Sequence, residues 1–132
     1  MSNPKNRFKD WRRPTFDRNG MTKWHWTCQH REGLKLDNNT DIGAFTYINA
    51  KFGVIIGKNA QIGSHCAIYS ESTIDDKQGP VVIGEGARIG SHTIIMPGVN
   101  IGENAVIGAH SFVKADIPKN SVAYCVPAKV KK

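Results

Sequence analysis

Along this chain, aliphatic side chains recur at every sixth position, a spacing that matches neither a helix nor an alternating strand. Leu36, Ile42 and Ile48 open the series. It resumes after a two-residue slip at Ile56, Ile62, Ile68 and Ile74, and after a longer one at Ile83, Ile89, Ile95, Ile101, Ile107 and Val113. Glycine often follows at once, at Gly43, Gly57, Gly63, Gly84, Gly90, Gly102 and Gly108. Four positions after the aliphatic residue the side chain is small: Thr40, Thr46, Ala60, Cys66, Ser72, Ala87, Thr93, Val99, Ala105 and Ser111, with Phe52 the exception. Two fixed positions in six predict a triangular coil, each hexad giving one short strand and one corner. The aliphatic residue points inward, and the bare or small residues let the backbone turn. One coil cannot bury its inner face, so stacked coils form a continuous apolar column.

The pattern predicts one domain over 1–132: a coil of strands at 36–113, a capping segment at 1–35 and a tail at 114–132. The capping segment carries Trp11, Trp24 and Trp26, with turn signals at Asn19-Gly20 and Glu32-Gly33, and covers what is otherwise an open sheet edge. The step from Ile74 to Ile83, through Asp75-Asp76-Lys77-Gln78-Gly79-Pro80, reads as a loop ejected from a corner.

Charge changes the picture little. The net charge of +7 is confined to the two ends, with eight Lys/Arg against two acids in 1–31 and five against Asp116 in 114–132. Between them, 32–113 holds five basic and eight acidic residues, so no basic stripe runs along the body and a nucleic-acid surface is not expected. No apolar run is long enough to span a membrane. The polar start MSNPKNRFKDW does not read as a secretory signal. Cys28, Cys66 and Cys125 are odd in number and lack a CxxC pair, which suits free thiols in a reducing, cytoplasmic setting.

The repeat resembles the hexapeptide-repeat family, and the resemblance implies a left-handed parallel β-helix. The strings IGEGARIGSHTIIMPGVNIGENAVIGAHSFVKADIPKNSV and VPAKV, within 83–130, are similar to the C-terminal half of galactoside, maltose and nucleotide-sugar acetyltransferases. That likeness implies an acyltransferase with coenzyme A in the groove between neighbouring copies of a homotrimer. It carries the cofactor contacts onto Ala109 of the Ile-Gly-Ala turn, Lys114 and Lys129, with Ser91 near the thioester; solvated tail lysines are the plainer reading of the last two. The expected donor is acetyl-CoA and the expected acceptor a sugar, nucleotide-linked and bearing an amine; no metal is expected. The residues leave N- and O-acetylation open. Two departures stand out. The relatives' His-Pro-containing loop is replaced by Ser70-Glu71-Ser72-Thr73, and the glycine before the closing Pro-Ala-Lys by Tyr124-Cys125-Val126.

Acyl transfer from a thioester needs a base for the acceptor's proton, and histidine suits that work near neutral pH. His65, His92 and His110 each fall three positions after the hexad aliphatic residue, at comparable points on their strands. His65, in Gly63-Ser64-His65-Cys66, resembles the base position of some amino-sugar N-acetyltransferases and lies one coil before the ejected loop. His92 is the second candidate and His110 a groove or structural residue. Glu71 and Asp75 are candidates to hold an acceptor ammonium, against the plain reading of a solvated charged loop. Two other functions are compatible with such a coil: a zinc enzyme of the γ-carbonic-anhydrase kind, whose His-x4-His spacing is absent here, and a non-enzymatic binding or ice-contact scaffold.

Overall fold

The computed structural model describes residues 7–132, so the first six residues of the expected capping segment lie outside it. From Thr27 onward the regular structure is β, apart from one turn of 3₁₀ helix at Arg31–Gly33. The first coil is β1 (Thr27–Gln29), β2 (Leu34–Leu36) and β3 (Asp41–Ile42); the second is β4 (Tyr47–Asn49), β5 (Val54–Ile56) and β6 (Gln61–Ile62). The third holds β7 (Ala67–Tyr69), a hairpin of β8 (Glu71–Ser72) and β9 (Lys77–Gln78), then β10 (Val81–Ile83) and β11 (Arg88–Ile89). The fourth is β12 (Ile94–Ile95), β13 (Asn100–Ile101) and β14 (Val106–Ile107); the last has β15 (Phe112–Val113), β16 (Val122–Tyr124) and a returning β17 (Lys129–Val130).

Equivalent strands of successive coils pair in parallel and make three faces. Face one is β1-β4-β7-β12-β15, face two β2-β5-β10-β13 and face three β3-β6-β11-β14-β16, with β17 antiparallel at its edge. Register turns the sixfold pattern into three apolar columns. Cys28, Ile48, Ile68, Ile95 and Val113 stack on face one, Leu36, Ile56, Ile83 and Ile101 on face two, and Ile42, Ile62, Ile89, Ile107 and Ala123 on face three. Ile117 extends the second column by a bridge to Ile101. Nearly all of these residues are buried, as are the small residues Thr46, Ala60, Cys66, Ala87, Thr93 and Ala105 at the corners.

The ladders run past the repeat at both ends, from Thr27 to Tyr124, because backbone pairing requires an extended strand and not the sixfold signature. One position is corrected. Ile74 fits the spacing, yet it is 95% exposed at the turn of the hairpin and belongs to no column. The chain leaves the coil at Ser70 and returns at Gly79, whose N–H donates to the Ser70 carbonyl at 2.9 Å. Ser72, expected at a tight corner, lies on this hairpin too.

Candidate active site

Each coil turns from face three to face one through a corner built on one rule. Glycine follows the inward isoleucine because the next coil's backbone crowds it. A Cβ on Gly63 would stand 2.7 Å from the Ser91 nitrogen, and one on Gly90 2.5 Å from that of Ala109. Two residues later the chain enters the left-handed region, with φ 65° at Phe45, 59° at His65, 60° at His92 and 61° at His110; His25, ahead of β1 and with no Ile-Gly pair before it, has φ 69°. His65, His92 and His110 therefore sit at corners, not on strands as their spacing suggested.

Stacking brings the corner side chains into one column of rings. His65 and His92 are 4.7 Å apart between centroids and within 2° of parallel, and His92 and His110 are 4.8 Å apart at 16°. Phe45 continues the column below His65 at 5.2 Å, and His25 lies 6.2 Å beyond it. Backbone bonds carry the stacking through the corner: His65 N–H donates to Ala44 at 3.0 Å, His92 to Ser64 at 3.1 Å and His110 to Ser91 at 2.9 Å.

A left-handed corner favours Asn, Asp or His among residues with a side chain. At the corner between faces two and three, Asn39, Asn59, Asn104 and Asn120 meet the same need with φ of 57–63°. Backbone geometry therefore does not by itself require imidazole at the ring column.

All three histidines of the column's upper part are exposed. Of these, His65 alone has a side-chain hydrogen bond to its ring, Nδ1 to Ser64 Oγ at 3.1 Å. When Nδ1 donates in that bond, Nε2 is left as an open acceptor, the tautomer a general base needs. Cys66 beside it is not a competing nucleophile. Its thiol is buried and donates to the Gly90 carbonyl at 3.3 Å; burial raises its pKa, with backbone hydrogen bonds from Thr93 and His92 opposing.

The structure brings Ser91 and Ala109 to the same corner as His65 and His92, one coil apart. Lys129 is on β17, paired with Tyr124, whose Cβ packs over Gly108. The tail then follows face one, where Phe112 N–H donates to the Cys125 carbonyl and Ala128 N–H to that of Phe112. Lys114 lies just past β15, at the far side of face one from the ring column.

Glu71 and Asp75 are also on that far side, on the hairpin. Glu71 pairs with Lys51 at 3.6 Å, and Asp75 accepts the Ser72 hydroxyl at 3.1 Å. His65 precedes β7 and Glu71 follows it, so six extended residues separate them by up to about 20 Å. The outer surface between carries Tyr47, Tyr69, Ile94 and Phe112, with Tyr47 and Tyr69 rings 5.7 Å apart. Within one chain, then, the histidines and the hairpin acids flank a partly apolar face and do not meet. The zinc reading needs three histidines shared between subunits, and within one chain these three do not converge. Here they stack face to face, and no cluster of three or more His, Cys, Asp or Glu among the described residues is arranged to hold a metal.

Sequence reasoning missed Phe45 and His25 as members of the column. For Phe45 the signal was available, since it stands three positions after Ile42 as the histidines stand after Ile62, Ile89 and Ile107, but it is not a histidine; His25 is one, yet follows no Ile-Gly pair. Among the described residues, no helix is long and apolar enough to cross a membrane.

Comparison with known proteins bears on the fold. Residues 80–115 match the family described as bacterial transferase hexapeptide (six repeats). A hexapeptide-repeat acetyltransferase of Vibrio cholerae, solved with acetyl coenzyme A, superposes with TM-score 0.75 at 22% identity, over 81% of this chain and 63% of its own. A mutant of AntD, an N-acyltransferase from Bacillus cereus in complex with dTDP-4-amino-4,6-dideoxyglucose and coenzyme A, gives 0.68 at 21%, over 85% and 78%. The serine acetyltransferase of Neisseria gonorrhoeae gives 0.66 at 23%, over 81% and 40%. The chain thus spans under two thirds of the length of the Vibrio and Neisseria proteins. At these identities the shared property is the left-handed parallel β-helix. No curated protein matches the chain by sequence.

Proposed function

We propose that this chain is a coenzyme A-dependent acetyltransferase acting on a sugar, nucleotide-linked and bearing an amine, at sites shared between the copies of a homotrimer. The observation that carries this reading is the column of exposed imidazoles at a corner whose backbone asparagine would satisfy equally well. His65 acts as general base, with His92 as the alternative: its Nε2 takes the proton of the acceptor amine as that nitrogen attacks the thioester carbonyl, the C–S bond then breaks, and the imidazolium returns the proton to the departing sulfur, releasing coenzyme A as the free thiol and the acceptor as its amide. Ser91 and Ala109 line the path of the donor at the same corner, and Lys114 and Lys129 offer positive charge to its phosphates. Separation of the histidine corner from Glu71 and Asp75 within one chain supports a site completed by a second copy, whose hairpin would bring those carboxylates to the acceptor ammonium. The fold neighbours solved with acetyl coenzyme A, and with coenzyme A beside a nucleotide amino sugar, support the donor and acceptor classes. Free thiols at Cys28, Cys66 and Cys125 suit a reducing, cytoplasmic setting.

The test is calorimetric titration with coenzyme A, followed by thiol-release assays with acetyl-CoA and a panel of amino sugars. Saturable binding at one site per chain is expected, with turnover falling about 100-fold in His65→Ala or, if the second imidazole is the base, in His92→Ala. Absence of binding at millimolar cofactor would remove the acyltransferase reading. Full turnover in both variants would remove the histidine base.

A further inference from the structure

The chain has three tryptophans, Trp11, Trp24 and Trp26, and all of them border one cavity of about 250 Å³ at the N-terminal end of the coil. None of the candidate active-site residues lines it. The segment that forms its wall is fastened to the first coil: Trp11 Nε1 donates to the Thr40 carbonyl at 2.7 Å, and Arg7 is paired with Asp41. Trp26 is buried in the core, whereas Trp24 keeps 39% of its surface exposed at the opening. Thr40 also lines the cavity. It is only 5% exposed, and its hydroxyl has no hydrogen-bond partner among the described residues. A buried hydroxyl left unpaired is uncommon in a folded protein and marks a polar position that a bound group can satisfy.

We propose that this cavity is a binding site for a single uncharged pyranose ring, separate from the active site and independent of the acyltransferase reading. Three properties select that chemistry. The volume is below the about 300–1,000 Å³ of pockets for drug-sized ligands, so it suits one ring. The indoles supply flat apolar surface, which suits the C–H face of a sugar. The charged side chains in the lining balance, Arg7 and Arg12 against Asp10 and Asp41, so neither an anion nor a cation is favoured. With Arg7 and Asp41 engaged with each other, the Asp10 carboxylate is left as an acceptor, and Arg12, whose Nη1 donates to the Trp11 carbonyl at 3.3 Å, keeps further N–H donors. Adjacent hydroxyls of a sugar, each both donor and acceptor, answer that pair and the Thr40 hydroxyl together.

Because every tryptophan is at this cavity, indole emission reports on it alone. The experiment is a fluorescence titration of the full chain with D-glucose, D-galactose and N-acetyl-D-glucosamine, repeated for Trp24→Ala and Asp10→Asn. At least one sugar is expected to give a saturable change with a millimolar dissociation constant. Trp24→Ala should weaken it at least about tenfold, and Asp10→Asn, an exposed and fold-neutral change, several-fold. Coenzyme A titrations of both variants should match the parent. The proposal is overturned if no sugar gives saturation, if binding survives both substitutions unchanged, or if an aromatic acid such as benzoate binds better than every sugar. Loss of coenzyme A binding in the parent chain would sink the acyltransferase reading and leave this one standing.

Discussion

Two isoleucines six residues apart share the same sequence signature and are given opposite worth by the structure. Ile68 is fully buried, with Ile48 and Ile95 as its ladder partners in the coils on either side. Ile74 is 95% exposed on the hairpin turn. Truncating Ile68 to alanine removes buried hydrocarbon and leaves a void whose walls belong to three coils, so relaxation is limited. Such changes cost about 2–5 kcal/mol, against no more than about 0.5 kcal/mol for a surface truncation away from special features. With an m-value near 2 kcal/mol/M in urea, Ile68→Ala should lower the unfolding midpoint by roughly 1–2.5 M, while Ile74→Ala should move it by less than about 0.3 M. The assay is equilibrium urea unfolding followed by far-ultraviolet circular dichroism at two protein concentrations tenfold apart. The reasoning is refuted if Ile74→Ala costs as much as Ile68→Ala at both concentrations, since Ile74 would then be a core residue. A loss seen only at the lower concentration would instead show that a second copy covers the hairpin tip.

Two further outcomes follow from the corners and the core. Gly63→Ala should destabilise by about 1–3 kcal/mol, because its Cβ would stand 2.7 Å from the Ser91 nitrogen, whereas Gly98→Asn should change thermal stability little, as φ is +82° and nothing lies within 4 Å. Near-equal melting temperatures for the two variants would contradict the crowding argument. Burial, with a smaller contribution from Glu32, pushes the Cys28 thiol from its ordinary 9.0 up to about 12. The folded chain therefore holds that proton where the unfolded chain releases it. The associated stability is complete below pH 9 and is lost as pH rises from 9 towards 12, by at most about 1.4 kcal/mol per pH unit. Urea midpoints should fall above pH 9 in the parent and fall less steeply in Cys28→Ala; parallel curves would exclude Cys28 as the cause.

The coil was legible because its signature is local: an inward aliphatic residue, a glycine, a small side chain. The pattern failed where other residues do the same job. Cys28 begins the face-one column without being aliphatic, and Ala123 ends the face-three column as a residue too small to register. It also misread Ile74, because spacing alone does not reveal that Ser70 and Gly79 close the coil across a hairpin. At the corner proposed as the site, His65, His92, Ser91 and Ala109 could be named one by one from their motifs. That Phe45 and His25 join the stack could not, since Phe45 carries no imidazole and His25 follows no Ile-Gly pair.

What the sequence by itself determined is the architecture of each turn, because burial of one side chain and crowding at one glycine are decided within six residues. What only the tertiary structure decided is which turns lie over which. The corner between faces one and two varies in length from coil to coil, eight residues from Ile48 to Ile56 but fifteen from Ile68 to Ile83. Register therefore accumulates along the chain through loops that leave no periodic trace. Stacking of the rings, separation of the histidines from Glu71 and Asp75, and gathering of all three tryptophans around one cavity follow from that register, and so became visible only in three dimensions.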